Sequence, residues 1–222
     1  LGLLQLYRFS FSFQSEEGEM SEKPQHDFRN TALDPDLLLT PFGVQTNWHV
    51  ITGTVSSGKT TLIDQLADRG FQTVPEAARQ YYEAELARGR MIVEIRQDMA
   101  TVIRDCIDMM LEAERGLRAN DVVFLDRGVP DVLAFCRLHG QNPNEILANC
   151  FDHRYASVFL LDGFPVEEDG VRTEDDVTAE LLDEWHARDY SALGYSVVRV
   201  PVLSPEKRLA FVLERLTEQG LI

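Results

Sequence analysis

Two glycines five residues apart, followed at once by a lysine and a threonine, constrain this chain more than anything else in it. The run Gly53-Thr54-Val55-Ser56-Ser57-Gly58-Lys59-Thr60-Thr61 fits G-x-x-x-x-G-K-[ST], the phosphate-binding P-loop. Gly53 and Gly58 permit backbone angles that a Cβ would obstruct, and let the main chain approach a phosphate closely. Successive N–H groups, with the N-terminus of the following helix, form an anion cradle. Lys59 supplies a point charge for the β- and γ-phosphates. The hydroxyl of Thr60 suits Mg²⁺, a hard cation that takes oxygen ligands and keeps several waters. A chance match is the alternative, and the context argues against it. Residues 48–52 read as a short apolar strand. Leu62, Ile63, Leu66 and Ala67 share one helical face, and Gly70 marks its stop.

The rest of the chain alternates in the same manner. Strands are expected at 71–74, at 122–125 ending in Asp126, at 156–161 and at 195–200. Helices are expected at 76–88, 94–118, 130–138, 143–150, 176–192 and 206–219. Five apolar strands separated by helices predict an α/β fold: a five-stranded, mostly parallel sheet covered on both faces. Ligands then bind at the carboxyl ends of the strands. Residues 47–222 form this domain. Residues 1–46 read as an unstructured tail carrying Pro24, Pro35 and Pro41, with one short turn near 36–39. Met20 resembles a natural start, and residues 1–13 make a poor signal peptide.

Composition narrows the partners. A net charge of −16 argues against general nucleic-acid binding, which needs Lys and Arg for phosphate contacts. No apolar run reaches the roughly 18 residues of a membrane span. Cys106, Cys136 and Cys150 have no metal-ligand spacing and an odd count, so a reducing cytoplasm is expected, with each thiol a small buried residue.

Strand ends select the candidate chemistry. Asp126 after four apolar residues has the Walker B pattern and could hold Mg²⁺; a helix-capping aspartate is the plain alternative. Arg127 could reach a phosphate oxygen, or form a structural ion pair. Glu76, after the second strand, could accept a proton from a substrate hydroxyl; an acidic residue in a helix's first turn is also favoured by the macrodipole. Arg79 follows one turn later. Between 162 and 189 there are eleven Asp or Glu and two Arg, with Gly163 and Gly170 as hinges. That stretch reads as a mobile lid carrying Arg172 over the phosphates, or as a charged surface loop.

The motifs Gly53…Thr60, Pro75-Glu76-Ala77-Ala78-Arg79, Phe124-Leu125-Asp126-Arg127-Gly128…Asp131, Val171-Arg172-Thr173, Tyr190…Leu193-Gly194-Tyr195 and Val200-Pro201 together resemble a family of AAA-type predicted ATPases. That family is grouped with the nicotinamide riboside kinase domain and is similar to the nucleoside kinases. The resemblance covers about residues 47–219. It implies a kinase-like P-loop fold with a lid, binding of ATP or GTP with Mg²⁺, and phosphoryl transfer to a small hydroxylated acceptor such as a nucleoside. It also implies the roles: Lys59 and Thr60 in the P-loop, Asp126 as Walker B, Arg127 and Arg172 on the phosphate side, Glu76 on the acceptor side. Thr54-Val55-Ser56-Ser57 departs from the Gly-Pro-rich loop of that group, so the acceptor stays open. A nucleotide-binding switch or slow ATPase or GTPase, acting through a protein partner, is the competing reading.

Overall fold

The computed structural model describes residues 27–163 and 174–222. Its centre is a strand, β2 (Trp48–Gly53), every residue of which is buried; a two-residue strand, β1 (Val44–Gln45), precedes it. Helix α1 (Lys59–Asp68) follows the phosphate loop and leads to β3 (Gln72–Val74) and α2 (Ala77–Ala87). Then come α3 (Ile92–Arg96), α4 (Met99–Arg115), β4 (Val123–Asp126) and α5 (Asp131–Leu138). After two short 3₁₀ turns the chain makes β5 (His153–Arg154), β6 (Ser157–Leu161), α6 (Glu174–Ala192), β7 (Val197–Val200) and α7 (Pro205–Glu218). The main sheet has the order β3-β4-β2-β6-β7, and every neighbouring pair is parallel. This is the α/β architecture expected from the alternation.

Burial on both faces explains why β2, β4 and β6 are almost continuously apolar. Side chains alternate between faces along a strand, and the two cores divide accordingly. Trp48 and Val50 face α4, α5 and α6, packing with Ile103, Ile107, Leu133 and Tyr190. Ile51, Phe124 and Phe159 face α1 and α7, against Leu62, Leu66, Leu209 and Val212. Parallel register sets Ile51 opposite Asp126 and Gly53 opposite Leu161, so the ends of β2, β4 and β6 reach one edge together. Cys106, Cys136 and Cys150 are all buried, and burial pushes the first two thiols up to about 12.

The long helix expected at 94–118 is two helices. The carboxylate of Asp98 accepts from the Thr101 N–H at 3.0 Å and from its hydroxyl at 2.7 Å, capping α4 and ending α3 before it. Apolar spacing runs through the break, and so conceals it.

The described part of the expected tail, residues 27–46, is packed against the domain. Leu33 is buried in the core, with Leu37, Leu38 and Phe42 against the same cluster. Arg137 Nε donates to Thr31 O at 3.1 Å, and Gly43 N donates to Phe151 O at 2.8 Å. Beyond them β1 pairs in parallel with β5. Tail-like composition misled because these apolar residues follow neither a helical nor a strand period; they fill gaps singly, held by main-chain hydrogen bonds. The short turn expected near 36–39 is a 3₁₀ turn at Leu37–Leu39.

Leu33→Ala should therefore lower unfolding free energy by about 2–3 kcal/mol, the usual cost of truncating a buried leucine. Urea unfolding of the full chain measures it. No change would return this segment to the status of a tail.

Candidate active site

The phosphate loop is wedged between β2 and α1, and its glycine requirement is visible in the backbone. Gly53 has φ 143°, and a Cβ there would lie 2.8 Å from Leu161 O and 2.9 Å from Ser57 Oγ. Ser56, a non-glycine residue, is held at φ 62°, in the left-handed region where strain collects at functional sites. Lys59 curls back over its own loop: Nζ donates to Thr54 O at 2.6 Å and approaches Ser57 Oγ at 3.5 Å. It is buried. Burial, then the Arg127 charge, brings its amine down to about 7. Val55, Ser56 and Thr61 are exposed, while Thr54 and Ser57 are buried.

The loop is braced from behind by the last helix. Arg208 of α7 is almost wholly buried, and its guanidinium donates to Ser57 O, to Asp162 O at 2.9 Å and to Pro201 O at 3.0 Å. One side chain thus joins the phosphate loop to the ends of β6 and β7. Its distance along the chain from Ser57 left no local signal of this contact.

Asp126 ends β4 at the same edge. It is buried, and Oδ1 has no hydrogen-bond partner among the described residues. Burial, then the neighbouring Glu76 charge, pushes its carboxyl up to about 6. A buried carboxylate oxygen and the Thr60 hydroxyl, both on the side of the sheet where the phosphate loop lies, are hard donors of the kind a divalent cation takes. No cluster of three or more His, Cys, Asp or Glu that could hold a metal unaided occurs among the described residues.

Glu76 caps the start of α2 and meets Arg127 there, Nε to Oε1 at 2.7 Å. Burial alone would raise the Glu76 carboxyl, but the Arg127 guanidinium holds it below the usual carboxylate range. Arg127 has φ 77°, donates a second bond to Asp131 Oδ1 at 3.2 Å, and lies 5.2 Å from the Phe135 ring centroid. It is thus committed to two carboxylates, the ion-pair alternative of the sequence reading. Asp131 also accepts from the Thr52 hydroxyl, from Gly128 N at 2.9 Å and from Tyr190 OH at 2.5 Å. Gly128 is a glycine because a Cβ there would come within 2.8 Å of Tyr190 OH and 2.9 Å of Tyr155. The turn is held further by Val129 N, which donates to Tyr155 OH at 3.1 Å.

Lys59, Thr60, Glu76, Asp126 and Arg127 therefore converge on one sheet edge. Arg172 lies outside the described residues, as do residues 164–173 of the expected lid; residues 174–189 of that stretch belong to α6, which buries Trp185, His186 and Asp189. Sequence reasoning passed over the bracing by Arg208 and the hub at Asp131, and noted Arg79 without assigning it a role. Arg79 Nη2 stands 3.4 Å from Thr60 Oγ1.

A family model described as AAA domain matches residues 48–208. The chain belongs to this AAA domain family. Two of the solved structures similar to it show the likeness. One is the NadR protein in complex with NR, at 23% identity with a TM-score of 0.57, over 78% of this chain and 51% of that one. The other is deoxyadenosine kinase from M. mycoides with its products dCMP and a flexible dCDP bound, at 14% identity with a TM-score of 0.54, over 77% and 99%. The chain spans about half the length of the NadR chain. At these identities the likeness shows the fold alone. No curated protein sequence matches the chain. None of the helices among the described residues is long and apolar enough to cross a membrane.

The hub generates a stability prediction. Asp131→Ala leaves Arg127, Tyr190 and Thr52 facing a void, so it should cost about 3–5 kcal/mol, the range for breaking a buried ion pair from one side. Asp131→Asn, which keeps two acceptor lone pairs, should cost less. Chemical unfolding of both variants checks the order; equal and small losses would show that Asp131 is no hub.

Proposed function

We propose that this protein binds a nucleoside triphosphate, ATP or GTP, with Mg²⁺ and transfers the γ-phosphoryl group to a small hydroxylated acceptor such as a nucleoside. One observation carries the reading: a P-loop lysine, an orphaned buried aspartate oxygen and an arginine-held glutamate meet at one edge of a parallel sheet. A surface loop or a purely structural ion pair would have no use for all three.

The roles follow from position. Main-chain N–H groups from Gly53 to Thr61 cradle the phosphates, and Lys59 exchanges its bond to Thr54 O for phosphate oxygens. Thr60 and Asp126 would hold Mg²⁺, which when bound neutralises phosphate charge. Glu76 stands on the acceptor side. With its carboxyl held ionised by Arg127, it orients the attacking hydroxyl and receives its proton as the oxygen bonds to phosphorus. Arg127 acts through Glu76, fixing its angle and charge. The chemistry is positioning and electrostatics rather than covalent catalysis.

The deciding experiment is incubation with γ-labelled ATP or GTP and a pooled nucleoside and vitamin library. Label on a small molecule is the expected result. Label only in free phosphate, unaffected by the library, would favour a switch that acts through a partner protein.

Lys59→Ala should abolish nucleotide-induced stabilisation, about 2.7 kcal/mol at a hundredfold excess over Kd, while unfolding remains cooperative. Thermal melts with and without Mg-nucleotide measure this. Undiminished stabilisation in the variant would overturn nucleotide binding at this loop.

A further inference from the structure

Three cations line the edge where the transferring group would sit, and two of them are already engaged. Lys59 bonds its own loop, and Arg127 is divided between Glu76 and Asp131. Arg79, one turn into α2, makes no ion pair among the described residues. Among the same residues its buried Nε has no hydrogen-bond partner, and its Nη2 makes only a long contact, 3.4 Å, to the neutral hydroxyl of Thr60. Its charge is nonetheless felt by both Glu76 and Asp126.

A buried donor without an acceptor is costly to keep, and a guanidinium presents its donors in a planar fork matched to phosphate oxygens. Thr60 fixes which phosphate is meant. In a loop of this type the residue after the lysine stands at the β,γ end of the triphosphate. A fork poised against Thr60 from the opposite helix therefore faces the terminal phosphoryl group and not the α-phosphate. Glu76, on the same turn of α2, places the acceptor hydroxyl next to it.

Resting on the phosphoryl-transfer reading above, we propose that Arg79 is a catalytic residue that grips the non-bridging oxygens of the γ-phosphoryl group. It distinguishes triphosphate from diphosphate in the ground state and holds the group in line during transfer. In that step the acceptor oxygen bonds to the γ-phosphorus while the bond from phosphorus to the β,γ-bridging oxygen breaks. The electron pair of the broken bond leaves with the nucleoside diphosphate, and the hydroxyl proton passes through the Glu76 carboxylate to solvent.

The test needs no acceptor. Affinities of the wild type, Arg79→Gln and Arg79→Lys are measured by calorimetry, in Mg²⁺, for ADP and GDP and for the β,γ-imido analogues of ATP and GTP. Arg79→Gln should keep diphosphate affinity within about twofold and lose roughly tenfold or more for the triphosphate analogue, the scale of a charge-assisted hydrogen bond. Arg79→Lys, which keeps the charge without the fork, should fall between. A melting temperature without nucleotide close to wild type separates this loss from misfolding; should Arg79→Gln fail to fold, the Arg79→Lys ratio alone decides. If both affinities fall together, or neither falls, Arg79 is a structural part of α2 and the proposal is wrong. A wild type that binds neither nucleotide would overturn the phosphoryl-transfer reading, and this proposal with it.

Discussion

A carboxylate with no water to solvate it must find donors from the protein, and Asp131 finds four of them on three elements. Thr52 comes from the end of β2, Gly128 from the turn after β4, Arg127 from the same turn, and Tyr190 from α6. The active edge depends on that convergence. It holds Arg127 in a left-handed conformation that its side chain would not otherwise choose. It also aims the guanidinium at Glu76, keeping that carboxyl ionised in a buried place. A charge at the head of a short helix is thus the fixed point from which the Arg127–Glu76 pair is oriented.

Much of this was readable before any coordinates. The alternation of apolar runs and helical faces gave the five parallel strands, because strands buried on both sides must be apolar throughout. Gly53, Gly58, Lys59 and Thr60 announced the cradle because few other residues can make one. Asp126 was visible as a carboxylate terminating a fully apolar strand. What stayed hidden depends on contacts distant in sequence. Leu33 packs without a period, Asp98 breaks a helix inside a continuous apolar stripe, and Arg208 reaches a carbonyl far from it along the chain. Arg127 could be read equally as a phosphate ligand or as half of an ion pair. Only the positions of Glu76 and Asp131 decide for the pair.

The two sides of the cleft are built differently. The nucleotide side is main chain, wound into a strained loop at Ser56 and Gly53 and already satisfied internally, with Lys59 bonded to Thr54 O. The other side is made of side chains from α2 and the turn after β4, several of them charged.

Arg208 carries a different consequence, for which substitutions the domain tolerates. Three acceptors of its guanidinium among the described residues are the carbonyls of Ser57, Asp162 and Pro201. Every amino acid possesses a carbonyl, so this joint does not depend on which residue occupies those three positions. Sequence drift there leaves the brace standing, and the loops flanking the phosphates are free to diversify in what they recognise. All the risk is concentrated in one side chain of the last helix, whose loss would release the phosphate loop and two strand ends at once.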